Sequence, residues 1–188
     1  GDQVTGFQKG DKVVSLLSQT CGKCSRCRDG LEHRCLNGTG IGHGCDGGFA
    51  EYIRISQHSL IKIPKTLDVQ EASILACPIG VSYHSLVSVG LAAGETVMIT
   101  GAGGGLGVHL IQMANALGAS KTIAVTSSPE KEKQLIQMGA TEVILATNDL
   151  DFSELALALT EDKGVDVAIN TVGSSLFNSC LKALSQFG

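Results

Sequence analysis

The chain has 188 residues, 43% hydrophobic and 17% charged, with a formal net charge of −4. That length buries a substantial core, and the apolar content excludes an intrinsically disordered chain. The slightly acidic balance gives no general attraction for nucleic acid or anionic membrane, and no apolar run approaches the roughly 20 residues that span a bilayer.

In chain order, a turn at Lys9-Gly10-Asp11-Lys12 precedes a buried strand expected over residues 13–17. A cysteine-rich stretch follows, then glycine-rich residues 38–48. Residues 49–55 alternate apolar and polar as a strand does, and a further short strand at 60–63 stops at Pro64. From about residue 69 the pattern turns helical, over 69–75 and 81–89. Strands are then expected at 96–100, 122–126, 142–145 and 166–170, alternating with helices at 105–117, 129–138, 152–160 and 175–185. Ser128-Pro129-Glu130 has helix-start chemistry: a cap, a proline in the first turn and an acid beside the positive end, while Gly139 suits the other end. Strands and helices alternating in this way predict a parallel sheet covered on both faces. No methionine precedes Met98, and the chain stops at Gly188 beyond an unfinished helix-to-strand junction, so it reads as an internal piece of a longer protein.

Seven cysteines occur: Cys21, Cys24, Cys27, Cys35, Cys45, Cys77 and Cys180. An odd count with four crowded between positions 21 and 35 is a poor disulfide framework. Two-residue gaps at Cys21, Cys24 and Cys27 let successive thiolates face one centre, and Cys35 closes a tetrahedral set suited to zinc. A redox pair, a disulfide knot and an iron–sulfur cluster are the competing uses of close cysteines. With four protein ligands such a zinc is structural, because no position stays open for water. The intervening residues are polar, so metal would have to order the loop, and Lys23, Arg26, Arg28 and Arg34 would offset its negative charge. Reduced thiolates place the chain in a reducing compartment, the cytoplasm. Cys45 reads as a structural thiol, Cys180 as a core thiol on a helix with Leu176, Leu181 and Leu184, and His33, His58, His84 and His109 as surface or packing residues.

Val97-Met98-Ile99-Thr100 feeds directly into Gly101-Ala102-Gly103-Gly104-Gly105-Leu106-Gly107, and a helix follows with Leu106, Leu110, Met113 and Leu117 on one face. Strand, glycine turn and helix in that order form the context of a dinucleotide site, in which backbone amides at the helix start meet a pyrophosphate. The candidate cofactor residues are Gly101, Gly103, Gly104, Gly105, Leu106 and Gly107, with Thr126, Ser127 and Lys131 at the end of the second strand. No Asp or Glu occurs between Gly107 and Glu130, where an NAD site carries an acid for the ribose hydroxyls. Small hydroxylated residues and a lysine there favour NADP(H) over NAD(H).

These motifs together resemble the medium-chain dehydrogenase/reductase family, the zinc-containing alcohol dehydrogenases in particular. The cysteine lobe, Asp46-Gly47-Gly48-Phe49-Ala50-Glu51-Tyr52, the Cys77 segment and residues 101–107 match it in kind and order across nearly the whole chain. The resemblance implies an α/β architecture in two parts. Residues 1–70 would be the later part of a GroES-like, β-rich catalytic domain with its zinc lobe, and 71–188 part of a Rossmann doubly wound parallel sheet. It also implies that Cys77 is a catalytic-zinc ligand, with the partner cysteine and a Gly-His-Glu segment upstream of Gly1. The implied reaction is alcohol–carbonyl interconversion by hydride transfer, on a small-molecule substrate and in a homo-oligomer, with no nucleic-acid or membrane partner. Reduction of a quinone or enone by NADPH without catalytic zinc is the second expectation, and a non-enzymatic zinc-stabilised binding module the third. Val81 departs from the family, where threonine is common near the cofactor.

Overall fold

The computed structural model describes residues 1–146 and 151–188, which form two units, Gly1–Cys77 and Pro78–Gly188. The division falls after Cys77, whereas the change of sequence pattern lies near residue 70.

In the first unit, β1 (Val13–Ser15) and β2 (Ser18–Gln19) precede a loop carrying α1 (Ser25–Arg28) and a single 3₁₀ turn at Glu32–Arg34. The chain returns through β3 (Thr39–Gly40), antiparallel to β2, and β4 (Leu60–Lys62), antiparallel to β1 with Val13 opposite Lys62. The expected strand at 49–55 does not form. Phe49 and Tyr52 are exposed there, and no described segment pairs with this one. Alternation makes a segment fit for a pleat, but a strand exists only where a neighbour takes its N–H and C=O groups. The expected helix at 69–75 is a single turn, α2 (Val69–Ala72), started by Asp68, whose carboxylate accepts the Gln70 N–H at 2.7 Å. A π-helical turn follows at Leu75–Ile79 around Pro78, which lacks the N–H that a regular helix needs.

The second unit starts with α3 (Gly80–Ser88), and β5 (Thr96–Thr100) then runs into α4 (Gly105–Ala116). After β6 (Lys121–Thr126) come α5 (Glu132–Gln137), β7 (Glu142–Leu145), α6 (Ser153–Leu159), β8 (Val167–Asn170) and α7 (Phe177–Ala183). The sheet is wholly parallel in the order β7-β6-β5-β8, with Thr100 opposite both Val125 and Asn170. Alternate residues of one strand enter opposite cores. Val97 and Ile99 pack with Leu110, Ile111, Ala114 and Leu135, while Met98 packs with Ile123, Val125, Phe152, Ala156 and Cys180. Both faces are therefore covered, as expected of a parallel sheet, and each fully buried leucine or isoleucine contributes about 1.5–3 kcal/mol.

Two local expectations are corrected and a third holds. Ser128 stands at the start of its helix but its side chain caps nothing. Its N–H is taken by Thr126 Oγ1 at 3.2 Å, and Pro129–Lys131 forms a 3₁₀ turn before α5 begins. The buried face around Cys180 is made by Leu176 and Ala183, while Leu181 points to solvent, because three- and four-residue steps from Cys180 reach those two positions. At the other end of α5 the expectation holds. Gly139 has φ +105, its N–H reaches Ile136 O at 3.0 Å, and the Ala140 N–H reaches Leu135 O at 3.0 Å. This pair of hydrogen bonds, from the left-handed Gly139 and from Ala140, closes the helix.

Candidate functional site

Gly101 leaves β5 in the left-handed region at φ +63, and a Cβ there would stand 2.5 Å from Thr171 Oγ1. Glycine is thus required both by conformation and by the approach of the loop after β8. At Gly107 a Cβ would lie 2.5 Å from Ala102 Cα and from Gly101 O, so α4 rests directly on the turn. Helix geometry leaves the N–H groups of Gly105, Leu106 and Gly107, the first three residues of α4, without partners inside the helix. They can bind an anion, which the helix dipole also favours.

A pocket of about 350 Å³ opens beside this turn, at the carboxyl ends of the strands. Gly101, Gly103 and Gly104 form one wall, and Thr126, Ser127, Ser128 and Lys131 another. Lys131 Nζ donates to Gly103 O at 2.8 Å and so links the two walls. Among the described residues, none that lines the pocket is acidic. Of the residues proposed for the cofactor, Gly105, Leu106 and Gly107 do not line the pocket. The Leu106 side chain packs on the core beside Leu110, Gly107 is buried, and only their backbone can serve a ligand. Val172, Ser175 and Leu176 complete the pocket and were not anticipated. Their signal is topological: they follow β8, which neighbours β5 where the sheet order reverses.

In the first unit, Cys21, Cys24, Cys27 and Cys35 converge with all ligand atoms within 4.8 Å of one another. Cys24 starts α1 and Cys27 lies within it, while Cys35 ends the 3₁₀ turn. The Sγ separations are 3.5 Å for Cys24–Cys27, 3.6 Å for Cys21–Cys35 and 3.9 Å for Cys24–Cys35. Four sulfurs about 2.3 Å from a tetrahedral zinc stand about 3.8 Å apart, so the donor set and its size both fit that ion. Backbone N–H groups of Lys23 and Cys24, with the Asn37 amide, lower the Cys21 thiol to about 6. Backbone groups of Cys27 and Leu36 lower Cys24 as well. Burial, then the neighbouring thiols, push Cys27 up to about 12. A dication at the centre would remove that conflict, since it stabilises every thiolate at once. Gly22, at φ +67, lies under the His58 ring, where a Cβ would approach to 2.6 Å. Asn37 and His58 are supports that spacing alone does not reveal.

Cys77 is exposed, not a core thiol, and belongs to no group of three or more potential metal ligands among the described residues. Cys45 accepts from Gln19 Nε2 at 3.2 Å. No described helix is long and apolar enough to cross a membrane.

A glycine turn at the carboxyl edge of a doubly covered parallel sheet, on one chain with a four-thiolate lobe, defines a class: Rossmann-type nucleotide-binding proteins with a zinc-site module. Comparison with known proteins narrows it. The alcohol dehydrogenase GroES-like domain matches residues 1–65, and the zinc-binding dehydrogenase domain matches residues 105–188. Acryloyl-coenzyme A reductase of Sulfurisphaera tokodaii is 41% identical over 189 residues, covering 100% of this chain and 54% of that protein. L-threonine 3-dehydrogenase of Pseudoalteromonas translucida is 35% identical over 190 residues, again 100% and 54%. The alcohol dehydrogenase structure from the archaeon Aeropyrum pernix superposes with a TM-score of 0.90 at 32% identity, covering 100% of this chain and 56% of that one. The chain belongs to the medium-chain dehydrogenase/reductase family, on its zinc-containing alcohol dehydrogenase side. It spans about half the length of the curated relatives it matches.

Proposed function

We propose that the chain supplies the dinucleotide-binding unit and zinc lobe of an NAD(P)(H)-dependent oxidoreductase that interconverts an alcohol and an aldehyde or ketone by hydride transfer. The pocket beside Gly101, at the carboxyl ends of the parallel strands, carries this reading. The N–H groups of Gly105, Leu106 and Gly107 bind the pyrophosphate, and the glycine turn lets it approach the backbone. NADP(H) is the preferred cofactor. A 2′-phosphate at the end of β6 meets the hydroxyls of Thr126 and Ser127 and the Lys131 ammonium, with no carboxylate among the described lining residues to repel it.

Cys21, Cys24, Cys27 and Cys35 hold a structural zinc in this proposal. Cys77 contributes one thiolate to a catalytic zinc site, which requires two further protein ligands. A catalytic zinc, when bound, supplies Lewis-acid polarisation of the substrate oxygen. Substrates are small alcohols and carbonyl compounds, and the working form is a homo-oligomer in the cytoplasm. A second reading, reduction of a conjugated enone or unsaturated thioester by NADPH without catalytic zinc, is favoured by the 41% identity to acryloyl-coenzyme A reductase.

Titration of the chain with NADPH and with NADH, followed by nicotinamide fluorescence, tests the cofactor site. NADPH should bind about tenfold more tightly, and Lys131→Met should erase most of that preference, as expected for loss of a charge-assisted bond. Equal affinity refutes the preference; failure to bind either nucleotide refutes the dinucleotide reading.

A further inference from the structure

The loop after β8 is shaped by one side chain. Asn170 Oδ1 accepts from three donors: Thr100 Oγ1, the Val172 N–H and the Gly173 N–H, each at 3.0 Å. Its Nδ2 donates to Gly173 O at 2.8 Å. A flipped amide would turn an N–H₂ toward two backbone N–H groups, so the bonds fix its orientation. Thr171 Oγ1 donates to Thr100 O at 2.8 Å, tying the same loop to the peptide that enters Gly101. Gly173 completes the bend at φ 115, ψ −153, a conformation essentially confined to glycine, although open space surrounds the position where a Cβ would stand. This bonding holds Val172 against the glycine turn, its Cγ2 at 3.0 Å from where a Gly101 Cβ would be.

We propose that Asn170 is a positioning residue for dinucleotide binding, setting the loop 171–173, and with it the Val172 wall of the pocket, against Gly101 while touching no ligand itself. The proposal rests on the dinucleotide reading and extends it to one half of the ligand. In a sheet of this order the adenosine end lies by β6, the pyrophosphate crosses the turn after β5, and the nicotinamide end lies on the β8 side. Asn170 therefore governs the passage of the whole dinucleotide and not the seating of its adenosine end.

The test compares NADPH with 2′,5′-ADP, which carries only the adenosine end, on the chain and on its Asn170→Leu variant. The variant should bind NADPH about tenfold more weakly and 2′,5′-ADP within about twofold of the parent, since only hydrogen bonds to the far wall are lost. Gly173→Ala, which perturbs the same loop through its backbone and meets no neighbour, should reproduce the split if Asn170→Leu does not fold. Unchanged NADPH binding by whichever variant folds, or equal weakening of both ligands, overturns the proposal. A parent chain that binds neither ligand overturns the dinucleotide reading, and this proposal with it.

Discussion

Replacing Gly107 by alanine should destabilise the second unit through one close contact. A Cβ at this position stands 2.5 Å from Ala102 Cα and from Gly101 O, and 2.6 Å from Ala102 O. Ordinary carbon contacts begin near 3.5 Å, so the methyl intrudes by about 1 Å. All three neighbours are backbone atoms of a turn held by Ala102 N–H to Val125 O at 3.1 Å, and none can swing aside. Overpacking of this kind costs about 1–3 kcal/mol, and rigid neighbours put this case at the top of the range. Alanine regains up to about 1 kcal/mol of helix propensity. The net loss is about 2 kcal/mol, or about 8 °C in Tm for a unit of this size. Circular-dichroism melting gives the answer, with Gly105→Ala as the internal control. That position is in the same turn of α4 and has nothing within 4 Å of its Cβ, so its Tm should not fall. A Gly107→Ala protein as stable as the parent, or a Gly105→Ala protein equally weakened, would refute the packing argument.

The cysteine lobe and the protein surface give further expectations. Elemental analysis of the purified chain should find about one zinc per chain, and Cys27→Ser should bring it close to zero, since a buried fourth thiolate is lost. Retained stoichiometric metal would exclude the four-thiolate site. Asp151 accepts from Lys182 at 2.7 Å and from the Ser153 hydroxyl at 2.6 Å, and these partners hold its carboxyl well below the usual carboxylate range. Because the folded value is depressed, its stabilising contribution is complete above the unfolded value of about 4 and drains away as pH falls through the folded one. Asp151→Asn should flatten the decline of Tm between neutral and acidic pH, and parallel curves for the two proteins would contradict that.

The strands of the second unit were legible because burial on both faces demands unbroken apolar runs, and Val97-Met98-Ile99 has no other use in a protein of this kind. The cysteine cluster was legible for a different reason: the two-residue spacing of Cys21, Cys24 and Cys27 is itself geometric. Residues 49–55 misled because alternation describes a strand's faces and says nothing of its neighbour. Ser128 misled because the Lys131 N–H that a capping hydroxyl would take bonds the Ser128 carbonyl instead, closing a 3₁₀ turn, a competition invisible in composition. Val172 and Asn170 stayed hidden because what brings them to Gly101 is strand order, which links positions far apart in sequence.

That long link has a consequence in time. Pairing of β6 with β5 and with β7 joins positions about 25 and 19 residues apart, as at Glu95–Ser120 and Thr122–Thr141. Pairing of β8 with β5 closes 70 residues, as at Thr100–Asn170. The longer closure costs about 1 kcal/mol more in chain entropy than the 25-residue one, before any contact repays it. Three strands thus assemble as a local nucleus and the fourth docks afterwards. Pulse-labelled hydrogen exchange should protect the amides of Ile99 and Ile123, which lie between β5 and β6, before those of Val167 and Ile169, and simultaneous protection would count against this order. Because the loop after β8 closes one side of the pocket, a nucleotide held there would enter the folding reaction at its last stage: it would trap molecules that have already finished and could not hasten those that have not.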